Sequence, residues 1–541
     1  MNMNERLVSM LCDEQDVPES YRAGRAVVQR EYLVDGELRE WTGPMQDVYS
    51  PVFFVTGSGH AARLLGSYPL LTEAEAADAL NAAVRAYDNG TGAWPTMPIE
   101  ARIRCMEQFT QSMLDEKSSI VNMLMWEIGK SHRDAELEFD RTVEYIRDTI
   151  DAVKDLDRAS ARFTIEKGII GQIRRAPLGV VLCMGPYNYP LNETYTTLIP
   201  ALLMGNTVVF KPPRMGVLLH RPLLKSFRDA FPRGVVNTVY GDGQTVISPL
   251  MGSGAVNVLA FIGSSRVSNI IRRQHPRLNR LRCILGLEAK NPGIVTESAD
   301  LDTAVQECVL GSLSFNGQRC TALKILFVHS SIYEPFLERF SAAVTQLRSG
   351  MPWEQDVFLT PLPEPAKTDY LAELVKDAEK HGARVVNEGG GATCHTFFHP
   401  AVLAPVTPHM RVYEEEQFGP VVPVVRYDDI ATPLQYVADS RYGQQISLFG
   451  RDTDMIAMLM DALVNQVCRV NINSQCQRGP DSFPFTGRKD SAEGTLSVSD
   501  ALRVFSIRTV VATKGTASNK RILREILQDR KSAFLSTDFI L

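Results

Sequence analysis

The chain lacks most of what would place it in a specialised class. It has no CxxC pair: its nine cysteines, at 12, 105, 183, 283, 308, 320, 394, 468 and 476, are scattered. Neither a zinc module nor a disulfide framework is indicated, and an odd count in a large chain points to a reducing compartment. No apolar run reaches the roughly 18 residues that a membrane span requires. The opening MNMNERLVSMLCDEQD turns acidic early and has no basic leader followed by an apolar stretch, so no secretory signal is expected. Positive charge is not in excess: 57 Lys and Arg stand against 63 Asp and Glu, for a net charge of −6. Such a surface gives no support to nucleic-acid binding. Repeats and low-complexity tracts are absent. The histidines are dispersed as well; Cys394, His395 and His399 are the only close group of cysteine and histidine, and they read as a loop before a strand, so no metal is expected. What remains is a cytoplasmic globular protein with no membrane attachment, and its 541 residues have room for about three or four domain-sized units.

What is present has a clear rhythm. Residues 1–70 are mixed and turn-rich. Helical periodicity dominates from Thr72 to Leu156 and carries Arg141. The alternation in FTIEKGIIGQIRRAPL (163–178) predicts a β-hairpin. Buried-strand runs then alternate with helices: GVVLCMG, NTVVFKP, VVNTVYG and AVNVLAFIG between 179 and 263, and a second set from near Leu281 that includes KILFVH. Short β-branched runs separated by helices indicate a parallel, doubly wound α/β sheet. A strand-like VFSIRTVVAT (504–513) and a basic, then apolar, tail close the chain.

The chemistry concentrates in two segments. GQRCT places Cys320 between Arg319 and Thr321, after a glycine-containing loop and before a strand. Upstream, a strand runs into Gly185-Pro-Tyr-Asn-Tyr-Pro190. Together they offer a thiol nucleophile and a site for an oxyanion, the apparatus for attacking an aldehyde.

PYNYP, GNTVVFKPP, FIGSS, FNGQRCTA, EEEQFGP and NSQCQRGPDSFPFTGRKDS occur in this order. Any one would be a weak signal; jointly they are specific. Over roughly 75–513 the chain resembles the aldehyde dehydrogenase superfamily and, more narrowly, its NADP-dependent, non-phosphorylating glyceraldehyde-3-phosphate dehydrogenases. The resemblance implies an α/β aldehyde dehydrogenase-like fold. Its expected parts are a Rossmann-like NADP-binding domain (1–158 and 179–285), an α/β catalytic domain (286–495), a small β oligomerisation arm (159–178 and 496–515) and a tail (516–541). An unpaired apolar strand in the arm would invite aggregation, so a homo-oligomer, a homotetramer by resemblance, is expected.

The resemblance also implies roles. Cys320 attacks the aldehyde to give a thiohemiacetal; hydride loss leaves a thioester that water hydrolyses. Asn188 donates to the oxyanion. Arg141, Tyr189, Arg319 and Arg478 surround the substrate phosphate, where a guanidinium can donate two hydrogen bonds, and Thr321 is a further substrate-binding residue. Lys211, Gly263, Ser264, Glu416 and Phe418 are cofactor residues: Lys211 and Glu416 at the two riboses, the Gly263–Ser264 turn at the pyrophosphate, Phe418 near the nicotinamide. Arg214 stands where NAD-preferring relatives often carry a Glu, and its charge favours the 2′-phosphate of NADP, with NAD also possible.

The sequence departs from the family in the LELGGK segment, which here reads Leu285-Gly-Leu-Glu-Ala-Lys290. Aligned on Lys290, the family's general base falls on Gly286, and a Glu stands at 288. In an extended segment, residues two apart share a face, displaced by roughly 6.6 Å. Glu288 is therefore expected to face the same cavity and act directly or through one water. Alternatively it orders the loop or pairs with Lys290, while another carboxylate or a water chain deacylates. Ser268 replaces a usual glycine in the helix after Ser264. The expected reaction is oxidation of D-glyceraldehyde 3-phosphate to 3-phosphoglycerate. The alternatives are another small polar aldehyde, such as succinate semialdehyde or lactaldehyde, and a catalytically impaired scaffold.

Overall fold

The structure, a computed structural model, describes residues 2–538. The turn-rich beginning holds more order than its composition suggests. Strands β1 (Met45–Thr56) and β2 (Gly59–Pro69) form a long antiparallel hairpin. Its register shifts between Val48 and Phe53, around Pro51, which breaks the alternation that would have revealed it.

Helices α1 (Glu73–Tyr87), α2 (Ile99–Asp115), α3 (Lys117–Ile128) and α4 (His132–Ser160) follow. Helix α1 starts on a capping box: Ala74 N donates to Thr72 Oγ1 at 3.2 Å and Thr72 N donates to Glu75 at 2.9 Å. Helix α4 buries Ala135, Phe139, Val143, Ile146, Ile150 and Val153, a stripe at helical spacing. Arg141, two residues past Phe139, projects from the side of the helix away from that stripe. Strands β3 (Phe163–Glu166) and β4 (Ile169–Pro177) form the expected hairpin.

A six-stranded sheet comes next. Strands β5 (Val180–Met184), β6 (Thr207–Lys211), β7 (Val236–Thr238), β8 (Val258–Ile262) and β9 (Arg282–Gly286) are parallel, in the order β7-β6-β5-β8-β9. Every residue of β5 is buried, as befits a strand covered on both faces. Helix α5 (Asn192–Leu203) follows β5 and helix α6 (Ser265–Arg273) follows β8. A seven-stranded sheet holds the second core; its centre is β10 (Asn291–Val295) paired parallel to β11 (Leu323–His329), with helix α7 (Leu301–Leu313) between them in sequence.

One expectation is corrected here. The segment from Leu281 does not open the second α/β set, because β9 hydrogen-bonds to β8 in the first sheet. Strand β12 (Ala492–Glu493) later returns as an antiparallel sixth strand on β9. Finally β13 (Ser506–Lys514) pairs antiparallel along all of β4, completing the three-stranded arm. Helix α8 (Ala517–Gln528) leads to a tail whose Ser536 carbonyl accepts from Gln172 at 2.6 Å. The end of the 516–541 tail, residues 539–541, lies outside the described residues.

Candidate active site

Strand β5 and the turn before β11 deliver their ends to one cavity of about 1270 Å³ between the two sheets. That exceeds the roughly 300–1,000 Å³ of a pocket for one small ligand. Every candidate site residue named above lines it: Arg141, Asn188, Tyr189, Lys211, Arg214, Gly263, Ser264, Glu288, Arg319, Cys320, Thr321, Glu416, Phe418 and Arg478.

The nucleophile loop is bent by consecutive left-handed residues, Phe315, Asn316 and Gly317, at φ of 49°, 54° and 70°. Phe315 and Asn316 adopt this conformation at a cost of order 1–2 kcal/mol each. Asn316 is braced by the Thr360 backbone, donating from Nδ2 to its carbonyl at 3.0 Å and accepting from its amide at 3.1 Å. Gly317 is required: a Cβ there would lie 2.7 Å from the Ser312 carbonyl and 2.9 Å from that of Gly419. The Cys320 carbonyl is held by Asn291 Nδ2 at 2.8 Å and Lys324 Nζ at 3.0 Å. Burial pushes the Cys320 thiol up, and the Lys324 ammonium is the largest influence drawing it back down.

Asn188 approaches from the other sheet. Its Nδ2 donates to the Gln318 carbonyl at 2.7 Å, two residues before the thiol. The loop that carries it is anchored from below by Glu138, which accepts from Leu191 N at 3.0 Å and Asn192 N at 3.1 Å. Glu138 also pairs with Lys130, whose ammonium lies 3.5 Å from the centre of the Tyr189 ring. A cation–π contact so deeply buried is worth about 2 kcal/mol.

The guanidinium groups meet internal partners. Arg141 binds Asp481 through two hydrogen bonds, of 2.9 and 2.8 Å. Arg478 Nε donates to the same carboxylate at 3.1 Å, and Nη1 pairs with Glu193. Burial pushes the Asp481 carboxyl up, but Arg141 and Arg478 outweigh it and hold it below the usual carboxylate range. Arg319 donates to the Leu310 and Gly311 carbonyls at 3.1 and 2.9 Å, and its buried Nε has no partner among the described residues. Asp481 and Glu193 were not anticipated, although Asp481 stands three residues after Arg478 and forms an i,i+3 pair with it.

On the cofactor side, Lys211 Nζ is enclosed, and its closest hydrogen bond is to the Pro212 carbonyl at 3.5 Å. Burial lowers this ammonium to about 8. An enclosed cation without a close acceptor is a cradle for an anionic or hydroxyl-rich ligand, so the residues fit a nucleotide. Arg214 is exposed at the rim. Ser264 caps α6 by accepting from Val267 N at 3.3 Å. Ser268 is buried with its hydroxyl unpartnered. Glu416 accepts from Lys324 at 2.6 Å and Ala289 N at 3.1 Å, and Phe418 packs edge-on to Tyr187 at 6.0 Å.

Glu288 lines the same cavity as Cys320. Its carboxylate accepts from Ser265 N at 2.9 Å and pairs with the Ser265 hydroxyl. Glu416 is a carboxylate whose field reaches the thiol. The extended geometry expected around Glu288 is not there: β9 ends at Gly286 and β10 begins at Asn291, so 287–290 is not a strand and the two-residue alternation does not apply. The pairing of Glu288 with Lys290 is absent too, because Lys290 donates to Val412, Glu415 and Gln417 at 2.8, 2.7 and 2.6 Å. Among the described residues no cluster of three or more metal-capable side chains occurs. His395 instead stacks on Phe53 at 4.2 Å.

Comparison with known proteins agrees with this geometry. The aldehyde dehydrogenase family model matches residues 57–511. The chain is 33% identical over 462 residues to an NADP-dependent glyceraldehyde-3-phosphate dehydrogenase of Streptococcus equinus, covering 84% of this chain and 92% of that one. Its fold is similar to that of the NADP-dependent glyceraldehyde-3-phosphate dehydrogenase of Bacillus halodurans complexed with NADP (TM-score 0.82, 31% identity, 91% of this chain and 100% of that one). It is also similar to lactaldehyde dehydrogenase of Escherichia coli (TM-score 0.82, 26% identity, 90% and 99%). With the family model spanning most of the chain and a relative 33% identical over 84% of it, the chain belongs to the aldehyde dehydrogenase family.

Proposed function

We propose that the protein oxidises D-glyceraldehyde 3-phosphate to 3-phosphoglycerate with NADP⁺ and water, without inorganic phosphate. The observation that carries this reading is the convergence of Arg141, Arg319, Arg478 and Tyr189 on the cavity that holds Cys320. In the reaction one aldehyde, one NADP⁺ and one water give one carboxylate, one NADPH and two protons. The Cys320 sulfur attacks the aldehyde carbon once its proton has left. The carbonyl oxygen becomes an oxyanion that Asn188 Nδ2 can reach by exchanging its bond to Gln318. NADP⁺, when bound, accepts the hydride. Lys211 and Glu416 would hold its riboses, Gly263 and Ser264 its pyrophosphate, Phe418 would pack near the nicotinamide, and Arg214 would supply a cation for the 2′-phosphate. Thr321 lines the cavity next to the thiol in sequence. Water then cleaves the thioester, and Glu288 serves as base only after leaving Ser265.

A second reading, another small polar aldehyde such as succinate semialdehyde or lactaldehyde, is favoured by one feature. Asp481 and Glu193 already occupy Arg141 and Arg478, so a phosphate must exchange with them. Both aldehyde classes, assayed against both cofactors in phosphate-free buffer, decide the matter. The proposal expects kcat/KM for the phosphorylated aldehyde with NADP⁺ to exceed that for glyceraldehyde by about a hundredfold, two charge-assisted contacts' worth. Equal values would favour the second reading.

The arm supports a homotetramer. Ile173 and Val510 are cross-strand partners that remain 38% and 58% exposed, an apolar pair that a second copy would cover. A monomer by light scattering in dilute solution would contradict it. Nine free cysteines suit the cytoplasm, and among the described residues no helix is long and apolar enough to cross a membrane.

A further inference from the structure

We propose that Glu288 is an internal stand-in for the cofactor's phosphates: it fills the anion slot at the start of α6 in the free enzyme and is evicted when the dinucleotide binds. The inference rests on the dinucleotide cofactor proposed above, but not on the identity of the aldehyde.

The start of a helix presents backbone N–H groups without partners inside the helix, and their combined dipole favours a negative charge. In α6 the Ser264 hydroxyl takes the amide of Val267. The amide and hydroxyl of Ser265, next to the cavity-lining Ser264, are both bound by one oxygen of Glu288, which itself lines the cavity. Among the described residues its other oxygen makes no hydrogen bond, and no cation pairs with it. Neutral donors alone therefore hold this carboxylate, on a short connection between β9 and β10 that belongs to neither strand. Gly263 closes the turn from beneath, donating to the Gly286 carbonyl at 3.0 Å.

The same cavity is lined by Lys211, Ser264, Glu288 and Cys320. A dinucleotide that spans it brings phosphate oxygens to the slot Glu288 holds. Two anions a few ångströms apart in a partly buried site repel by several kcal/mol, so one must leave. The cofactor has further anchors at Lys211 and Arg214, whereas the carboxylate has only Ser265. Eviction then costs cofactor affinity, and it frees a carboxylate into the cavity shared with the thiol when the hydride acceptor is present.

The test measures binding without turnover. NADPH is titrated by its fluorescence into wild type, Glu288→Ala and Glu288→Gln; adenosine 2′-monophosphate, which has no 5′-phosphate, is titrated by calorimetry. The expected result is a fall in the NADPH Kd of about fivefold to tenfold in Glu288→Ala, a smaller fall in Glu288→Gln, and no change for the monophosphate. An unchanged or raised NADPH Kd overturns the proposal. So does equal tightening of both ligands, which would mark a general change of potential. Failure of wild type to bind NADPH would instead strike the dinucleotide reading itself. A crystal structure of wild type with NADP⁺ keeps the test independent of variant folding: a phosphate oxygen on Ser265 with Glu288 turned away supports eviction, and Glu288 still on Ser265 refutes it.

Discussion

At the thiol end of the cavity, Arg141 and Arg478 already meet Asp481 and Glu193, so their charge is balanced before a ligand arrives. On the cofactor side, Lys211 lines the cavity with no carboxylate in hydrogen-bond reach among the described residues, while Ser265, at the start of α6, holds an internal carboxylate. The first arrangement selects a ligand by exchange of partners: a phosphate gains only the difference between its own bonds and those of Asp481. The second selects by vacancy at Lys211 and by displacement at Ser265. Buried ion pairs contribute little net stability but fix geometry, so the paired arginines are held ready at fixed positions whereas Lys211 remains destabilising until a ligand arrives.

This contrast can be broken at either end. The largest effect is expected from Cys320→Ala, which should lower NADPH formation by about a thousandfold or more, since removal of a nucleophile disables the whole unit. Stopped-flow absorbance should then show no burst. Asn188→Ala should lower kcat by about 100- to 1000-fold with little change in the cofactor Kd; an unchanged kcat would remove Asn188 from the oxyanion site. Arg478→Gln should raise KM for the phosphorylated aldehyde by about tenfold to a hundredfold while leaving KM for glyceraldehyde nearly unchanged. A parallel rise for both would mean that Arg478 only organises the loop.

Lys211→Met is expected to do less to rate and more to the contrast itself. It should weaken NADPH by about tenfold, measured by fluorescence titration, and raise the melting temperature of the free enzyme by removing an enclosed cation. The pH dependence follows from its folded value of about 8, below the unfolded value of about 10.4. Between these the unfolded chain binds more protons, so this lysine's contribution to stability improves as pH rises from about 8 to about 10. Melting scans should show wild type gaining on Lys211→Met over that window. Parallel curves would place Lys211 in solvent.

The α/β rhythm was legible because parallel strands buried on both faces are written as short β-branched runs, as in Val180–Met184 and Thr207–Lys211. The arm hairpin was legible from its alternation. The β1–β2 hairpin was not, because its pairing slips register around Pro51. In the site, the residues that meet at the cavity were legible from motif order. Their partners were not: Arg141 and Asp481 are 340 positions apart, and no local pattern reports such a contact. Glu288 does line the cavity, but its bond to Ser265 was not legible, since strand geometry was carried into four residues, 287–290, that have none.

The central claim is that one sulfur captures the aldehyde and holds it as a thioester. The most direct measurement is mass spectrometry of enzyme mixed with D-glyceraldehyde 3-phosphate and NADP⁺ in phosphate-free buffer and acid-quenched within the first turnover. The account predicts a phosphoglyceroyl adduct on the peptide containing Cys320, formed in step with the first equivalent of NADPH. NADPH produced with that peptide unmodified, or an adduct on a different cysteine, would contradict it.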